Sequence, residues 1–234
     1  MYLKIAVVNN SGNVGKSTIC DVLLRRRLAN AELIKVETLN SDGTEDAKIS
    51  AKAFDEVLKL IDISDCAIID VGSSNIEVFI SQMSQYKGSH EDIDYFIIPV
   101  VPKHKQQVDS VATVSNLLDL GVEPERIKFI YNMANDEDQI ERQFKYFFEG
   151  MKAFSEVEIK NYPVVYETPV FTFLNKIGKS FSDVLEDERD FKELLSAATT
   201  KEERTKISDQ RSVKRLVMGV NDTLDVAFAN LAII

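Results

Sequence analysis

One stretch constrains this chain more than any other: Asn9-Asn10-Ser11-Gly12-Asn13-Val14-Gly15-Lys16-Ser17-Thr18. An apolar run over residues 3–9 leads into it and reads as a strand, and a helical pattern over 15–28 leads out. A strand that turns through a glycine-containing loop into a helix brings unpaired backbone N–H groups and the positive end of a helix dipole to one place. Such a place suits a phosphate chain. Gly12 and Gly15 keep bulky side chains away where the backbone must approach. Lys16 supplies a point charge for the β- and γ-phosphates, Ser17 a hydroxyl for Mg²⁺, and Thr18 is placed to reach a neighbouring phosphate. The strict pattern G-x4-G-K-[ST] is not met, because Asn10 stands where its first glycine belongs. The alternative is a glycine-containing turn with an incidental Lys-Ser, and the strand–loop–helix context speaks against it.

The remaining sequence repeats that alternation. Strands are expected at 33–37, 66–70, 95–101, 127–132 and 164–167, and helices at about 46–60, 76–86, 106–120 and 137–148. Continuous apolar runs such as Ala67-Ile68-Ile69 and Phe96-Ile97-Ile98 suit strands covered on both faces. Strands alternating with helices through short links predict a doubly wound, mostly parallel α/β sheet. No Gly/Ser/Pro linker divides the chain, which holds only five prolines and nine glycines. The expectation is one domain over 1–234, with a helical C-terminal extension from 183 onward.

Composition narrows the classes further. With 234 residues and 44% hydrophobic content, a sizeable core needs no disulfides. A disordered tail, a collagen-like repeat and a disulfide scaffold are excluded. With 28 Lys+Arg against 38 Asp+Glu the formal net charge is −10, which argues against a surface that clamps nucleic acid throughout. A local basic patch remains open. Cys20 and Cys66 fall inside apolar segments, too far apart for metal-ligand spacing, and are expected to be reduced structural thiols. Met1 leads straight into an apolar run with no charged leader, and no apolar stretch approaches the ~18–20 residues of a membrane span. A soluble, cytoplasmic protein is expected.

The loop resembles the deviant Walker A motif of ParA/MinD-type ATPases, N-x-K-G-G-V-G-K-[ST]-[ST]. Asn9, Gly12, Val14, Gly15, Lys16, Ser17 and Thr18 match it. Ser11 replaces the signature lysine, which in the family reaches across a dimer to the partner's nucleotide, and Asn13 replaces the second glycine of the pair. Within that family, N-S-G-N-V-G-K-S together with Val36-Glu37-Thr38-Leu39-Asn40 most resembles plasmid stability proteins. The likeness spans roughly residues 1–170 and implies a P-loop NTPase fold that binds ATP or ADP with Mg²⁺. Ser11, Gly12, Asn13, Val14, Gly15, Lys16, Ser17 and Thr18 are then the candidate phosphate-binding residues, with Lys16 also a candidate catalytic group.

The resemblance extends to other positions. Asp65-Cys66-Ala67-Ile68-Ile69-Asp70 looks like a Walker B strand, whose terminal Asp70 would join Ser17 at the metal; capping of the next helix is the plainer role. Val71-Gly72-Ser73-Ser74 would form a γ-phosphate switch. The family's water-positioning aspartate has no direct match, because Leu39 stands in its place. Asp42 is the catalytic candidate there, although Asp42-Gly43 equally reads as an ordinary turn. Asn132, ending the strand over 127–132, would read adenine, or would simply be a strand-end turn residue. Tyr166-Glu167-Thr168-Pro169 matches the family's base loop by position alone.

Partners follow from the same likeness. A small DNA-binding partner protein and a homodimer are the expected associations, with no membrane contact. Arg204, Arg211 and Arg215 share one face of a C-terminal helical pattern and are the candidate DNA face, although Glu202 and Glu203 adjoin it. Lys103, His104 and Lys105 form a second small basic group that reads as a solvated helix start. The leading function is an ATP-binding, Mg²⁺-dependent switch with slow hydrolysis, since a hydroxyl at Ser11 cannot replace a full charge. The alternatives are an ATP-dependent small-molecule ligase or kinase on the same scaffold, and a nucleotide-binding adaptor that does not hydrolyse.

Overall fold

The apolar runs pair into a six-stranded sheet in the computed structural model, which describes residues 2–36 and 51–234. The strands are β1 (Leu3–Val7), β2 (Glu32–Lys35), β3 (Cys66–Asp70), β4 (Tyr95–Val100), β5 (Ile127–Ala134) and β6 (Val164–Tyr166). Their order is β2-β3-β1-β4-β5-β6, and each neighbouring pair is parallel. The sheet, its flanking helices and a long C-terminal helix match the fold class expected from the sequence. β1 lies between β3 and β4, so the loop that follows it opens at the C-terminal edge, where ligands of doubly wound sheets bind.

Both faces of the sheet are covered. Ala6, Ile69, Phe96, Ile98, Phe129 and Tyr131 enter one apolar cluster with side chains of α2 (Ala51–Ile63), α3 (Ile76–Gln85), α4 (His104–Leu120) and α6 (Lys145–Met151). Ile5, Val7, Ile68, Ile97 and Ile130 alternate with them and are equally buried. That is the physical content of the continuous apolar runs: neither face may be polar. Cys20 and Cys66 are both free and buried.

Two expected helices differ. The helix after the loop begins as α1 (Lys16–Thr18) and continues as a π-helix over Ile19–Leu24. Its wider turn sets Ile19 and Leu24, five residues apart, on one line, and five of its six residues are buried. The helix expected at 137–148 is split into α5 (Ile140–Gln143) and α6, because Phe144 leaves helical geometry (φ −107°, ψ 25°) where its ring is buried against Tyr131. α4 and α6 pack closely: a Cβ at Gly150 would stand 2.8 Å from Val111 Cγ2.

The chain divides into two compact units, Met1–Glu167 with Ala227–Ile234, and Thr168–Val226. The second unit is helical, with α7 (Val170–Ile177), α8 (Phe181–Leu185), α9 (Phe191–Ala197) and most of α10 (Lys201–Leu231). A Ser180–Asp183 capping box starts α8, and Asp190 caps α9 through the N–H groups of Lys192 and Glu193. Among the described residues, no helix is long and apolar enough to cross a membrane.

One buried side chain fixes the start of α4 against α6. Gln107 donates from Nε2 to Gln143 O at 2.9 Å, and its Oε1 accepts from Phe147 N at 3.0 Å. Gln107→Leu would strand both backbone partners, and urea unfolding is expected to show a loss of about 1–3 kcal/mol.

Candidate functional site

The loop after β1 is held by groups far away in sequence. Asn9 is fully buried, and its Nδ2 donates to Pro99 O and to Ser110 Oγ, each at 2.8 Å. Its Oδ1 accepts from Ser11 N at 2.7 Å. The next N–H, of Asn10, donates to Thr113 Oγ1 at 3.0 Å. Both hydroxyls are oriented by their own helix, since Ser110 donates to Gln106 O and Thr113 to Asp109 O. The end of β4 and one face of α4 thus support the first half of the loop.

The second half is held from β5. Asn132 Nδ2 donates to Val14 O at 2.8 Å. Next to that bond Gly15 adopts φ 83°, and a Cβ there would stand 2.3 Å from Asn132 Nδ2. Only glycine meets both conditions. Asn13, where the family pattern has glycine, also takes a left-handed backbone, φ 57°, which asparagine tolerates better than most residues.

The resulting cleft has a volume of about 320 Å³ and is lined by Gly12, Asn13, Val14, Gly15, Lys16, Ser17 and Thr18, with Asp70, Gly72 and Ser73 opposite. A cavity of about 370 Å³ in the second unit is lined by Phe173, Ile177, Val213 and Leu216, together with Lys176, Asp209 and Ser212. Lys16 is nearly buried, and its Nζ donates to Ser11 O at 2.9 Å and Asn9 O at 3.2 Å. Ser11 itself is 6% exposed, so its hydroxyl is not presented outward as a long cationic side chain would be.

Asp70 ends β3 in register with Val7 and is also nearly buried. Its carboxylate and the Ser17 hydroxyl border one cleft, and such hard oxygen donors suit Mg²⁺. Behind them burial, reinforced by the negative charge of Asp70, pushes the Cys20 thiol well above its ordinary range. Cys20 is therefore a neutral packing residue under the loop.

The expected residues do not all converge. Lys16, Ser17, Asp70 and the loop come together, and Asn132 touches the loop directly. Asp42 lies outside the described residues, as do Glu37, Leu39, Asn40 and Gly43. Lys103, His104 and Lys105 are exposed at the start of α4, where His104 packs on Tyr146 at 4.2 Å between ring centroids. On α10, Arg204 is engaged with Ala198 O at 3.1 and 3.0 Å, Arg211 is half-buried and Arg215 is exposed. Lys214 Nζ donates to Asp187 O. Sequence reasoning missed the anchoring pair Ser110 and Thr113, whose three-residue spacing on α4 was the available signal.

Known structures share this architecture. Apo McdA of Cyanothece superposes with a TM-score of 0.53 at 13% identity, over 93% of this chain and 98% of that one. The MinD cell division protein of Aquifex aeolicus does so at 0.50 and 14%, over 93% and 97%. The MinC:MinD complex of the same organism gives 0.50 and 16%, over 93% and 96%. At such identities the likeness establishes the fold. No protein-family model matches the sequence, and no curated protein matches it.

The contact between Gly15 and Asn132 generates a coupled expectation. Gly15→Ala is expected to lower stability by about 1–3 kcal/mol, through its left-handed backbone and its collision with Asn132. In an Asn132→Ala background the collision is gone, so the same substitution should cost less. A double-mutant cycle in urea measures the difference.

Proposed function

We propose that this chain is an ATP-binding, Mg²⁺-dependent molecular switch of the ParA/MinD type with slow ATP hydrolysis. The observation that carries the proposal is the cleft itself, in which a glycine loop, Lys16, the Ser17 hydroxyl and the Asp70 carboxylate line one space of about 320 Å³. Lys16 would leave the carbonyls of Asn9 and Ser11 for the β- and γ-phosphates, and the loop amides from Gly12 to Thr18 would complete the cradle. Ser17 and Asp70 would hold Mg²⁺, which neutralises phosphate charge when bound. Asn132 has one N–H committed to Val14 O, and would present its carbonyl oxygen and its remaining N–H to the base.

The slow turnover follows from Ser11. The family's lysine at this place stabilises charge that develops on phosphoryl transfer, and a nearly buried serine hydroxyl cannot. Asp42 is retained as the candidate for positioning water. The same observation favours a second reading, a nucleotide-dependent adaptor that does not turn over. Gly72 and Ser73 border the cleft, so nucleotide state would reshape the 72–74 loop and change partner binding.

The likeness of the loop to StbB plasmid stability proteins points to a role in plasmid stability and partition, or in conjugative transfer. A small DNA-binding protein would be the partner, a homodimer the assembly, and the cytoplasm the location. Direct DNA contact would be weak. The net charge is −10, and Arg204 and Lys214 on α10 are spent on carbonyls of their own unit.

Titration with a fluorescent ATP analogue is expected to show Mg²⁺-dependent binding. Lys16→Ala should weaken it about ten- to hundredfold, the range for charged hydrogen bonds. Asp70→Asn should blunt the Mg²⁺ dependence more than binding without metal. An unchanged Lys16→Ala affinity would sink the proposal. Phosphate release assayed with and without DNA separates the switch from the adaptor.

A further inference from the structure

Strand β5 alternates regularly until Asn132 and then breaks its rule. Ile127, Phe129 and Tyr131 enter the apolar cluster on one face. Continued alternation would send Met133 into that cluster, yet Ala134 joins it instead. The pairing with β6 slips between Asn132 and Ala134, and Met133 takes φ 55°. This is a left-handed backbone that an unbranched L residue rarely adopts without a reason in its surroundings. The bulge removes Met133 from the core and turns it toward the loop. Its methyl carbon is 3.8 Å from where a Cβ on Gly15 would stand, in the same spot that Asn132 Nδ2 approaches. The side chain is 39% exposed.

An apolar side chain held outward by strained backbone, beside the residue that ties strand to loop, gains nothing from the core. It stands beside the Asn132 amide at Gly15, and Asn132 is the group that reads the base in the proposed function. Resting on that reading, we propose that Met133 is a further specificity-determining residue, whose thioether forms one wall of the base subsite and packs on the face of a purine ring. Methionine suits the task. It is unbranched, polarisable and conforms to a flat aromatic surface, where sulfur–ring contacts add to burial. Asn132 then supplies hydrogen bonds in the plane of the ring, and Met133 the contact above it. The bulge is what allows two consecutive residues to serve one ligand, since an unbroken strand would point them to opposite faces.

The test separates the base from the phosphates. The full chain, labelled with [ε-¹³C]methionine, carries five methionines, and Met133 is assigned by the signal lost in Met133→Leu. Mg²⁺-ATP is expected to move the Met133 methyl resonance through the purine ring current. Tripolyphosphate, which fills the phosphate cradle alone, should leave it in place. Calorimetry on Met133→Ala should show ATP binding weakened about three- to tenfold and tripolyphosphate binding unchanged. Met133→Gly, which accepts φ 55° freely, should lose ATP affinity in the same way without depending on strained backbone. Equal methyl shifts with both ligands, or ATP binding that is undiminished in both variants, would overturn the inference. Failure of the parent chain to bind either ligand would overturn the nucleotide reading first, and this inference with it.

Discussion

The loop after β1 stands on two buried amides. A loop that passes through left-handed backbone at Asn13 and Gly15 has no regular hydrogen-bond ladder of its own, and must be braced from outside. Asn9 braces its entry against β4 and α4, and Asn132 braces its middle against β5. These partners are 90, 101 and 118 residues away in sequence. The cleft is therefore a property of the assembled sheet and cannot exist in a local strand–loop–helix fragment. The strands must be immobile before two amide groups can set a loop.

Much of the fold is legible in the sequence, because sheets covered on both faces write continuous apolar runs. β3 and β4 are found nearly to the residue, and the helix at 106–120 differs from α4 only at its start. The failures share a cause. The π-helix, the break at Phe144 and the bulge at Met133 are each a departure of one residue from a regular period, decided by what lies opposite in the folded chain. No periodicity argument sees such a decision. The break at Phe144 is set by Tyr131, and the bulge by the meeting of β5 with the loop.

The site is legible in a different proportion. Gly15, Lys16, Ser17 and Asp70 carry their chemistry in their residue type and context, and they do line one cleft. Asn132 is legible as the residue ending a strand, but its bond to Val14 O is not, because the partner lies 118 residues away. The basic residues of α10 differ in what the fold leaves them. Arg204 and Lys214 reach carbonyl groups of their own unit, whereas Arg211 is half-buried and Arg215 exposed. A helical wheel counts charges without asking which are already in use.

The π-helical turn behind the loop has a consequence for kinship. A π segment is in effect an α-helix that has absorbed one additional residue. Beyond Leu24 every position is then displaced by one from that of a relative with an uninterrupted helix, and a comparison anchored on Lys16 and Ser17 loses step within two turns. Three-dimensional superposition is indifferent to such an offset, whereas letter-by-letter comparison is penalised by it. A single inserted residue, harmless to the sheet, thus shifts every later letter without shifting the fold.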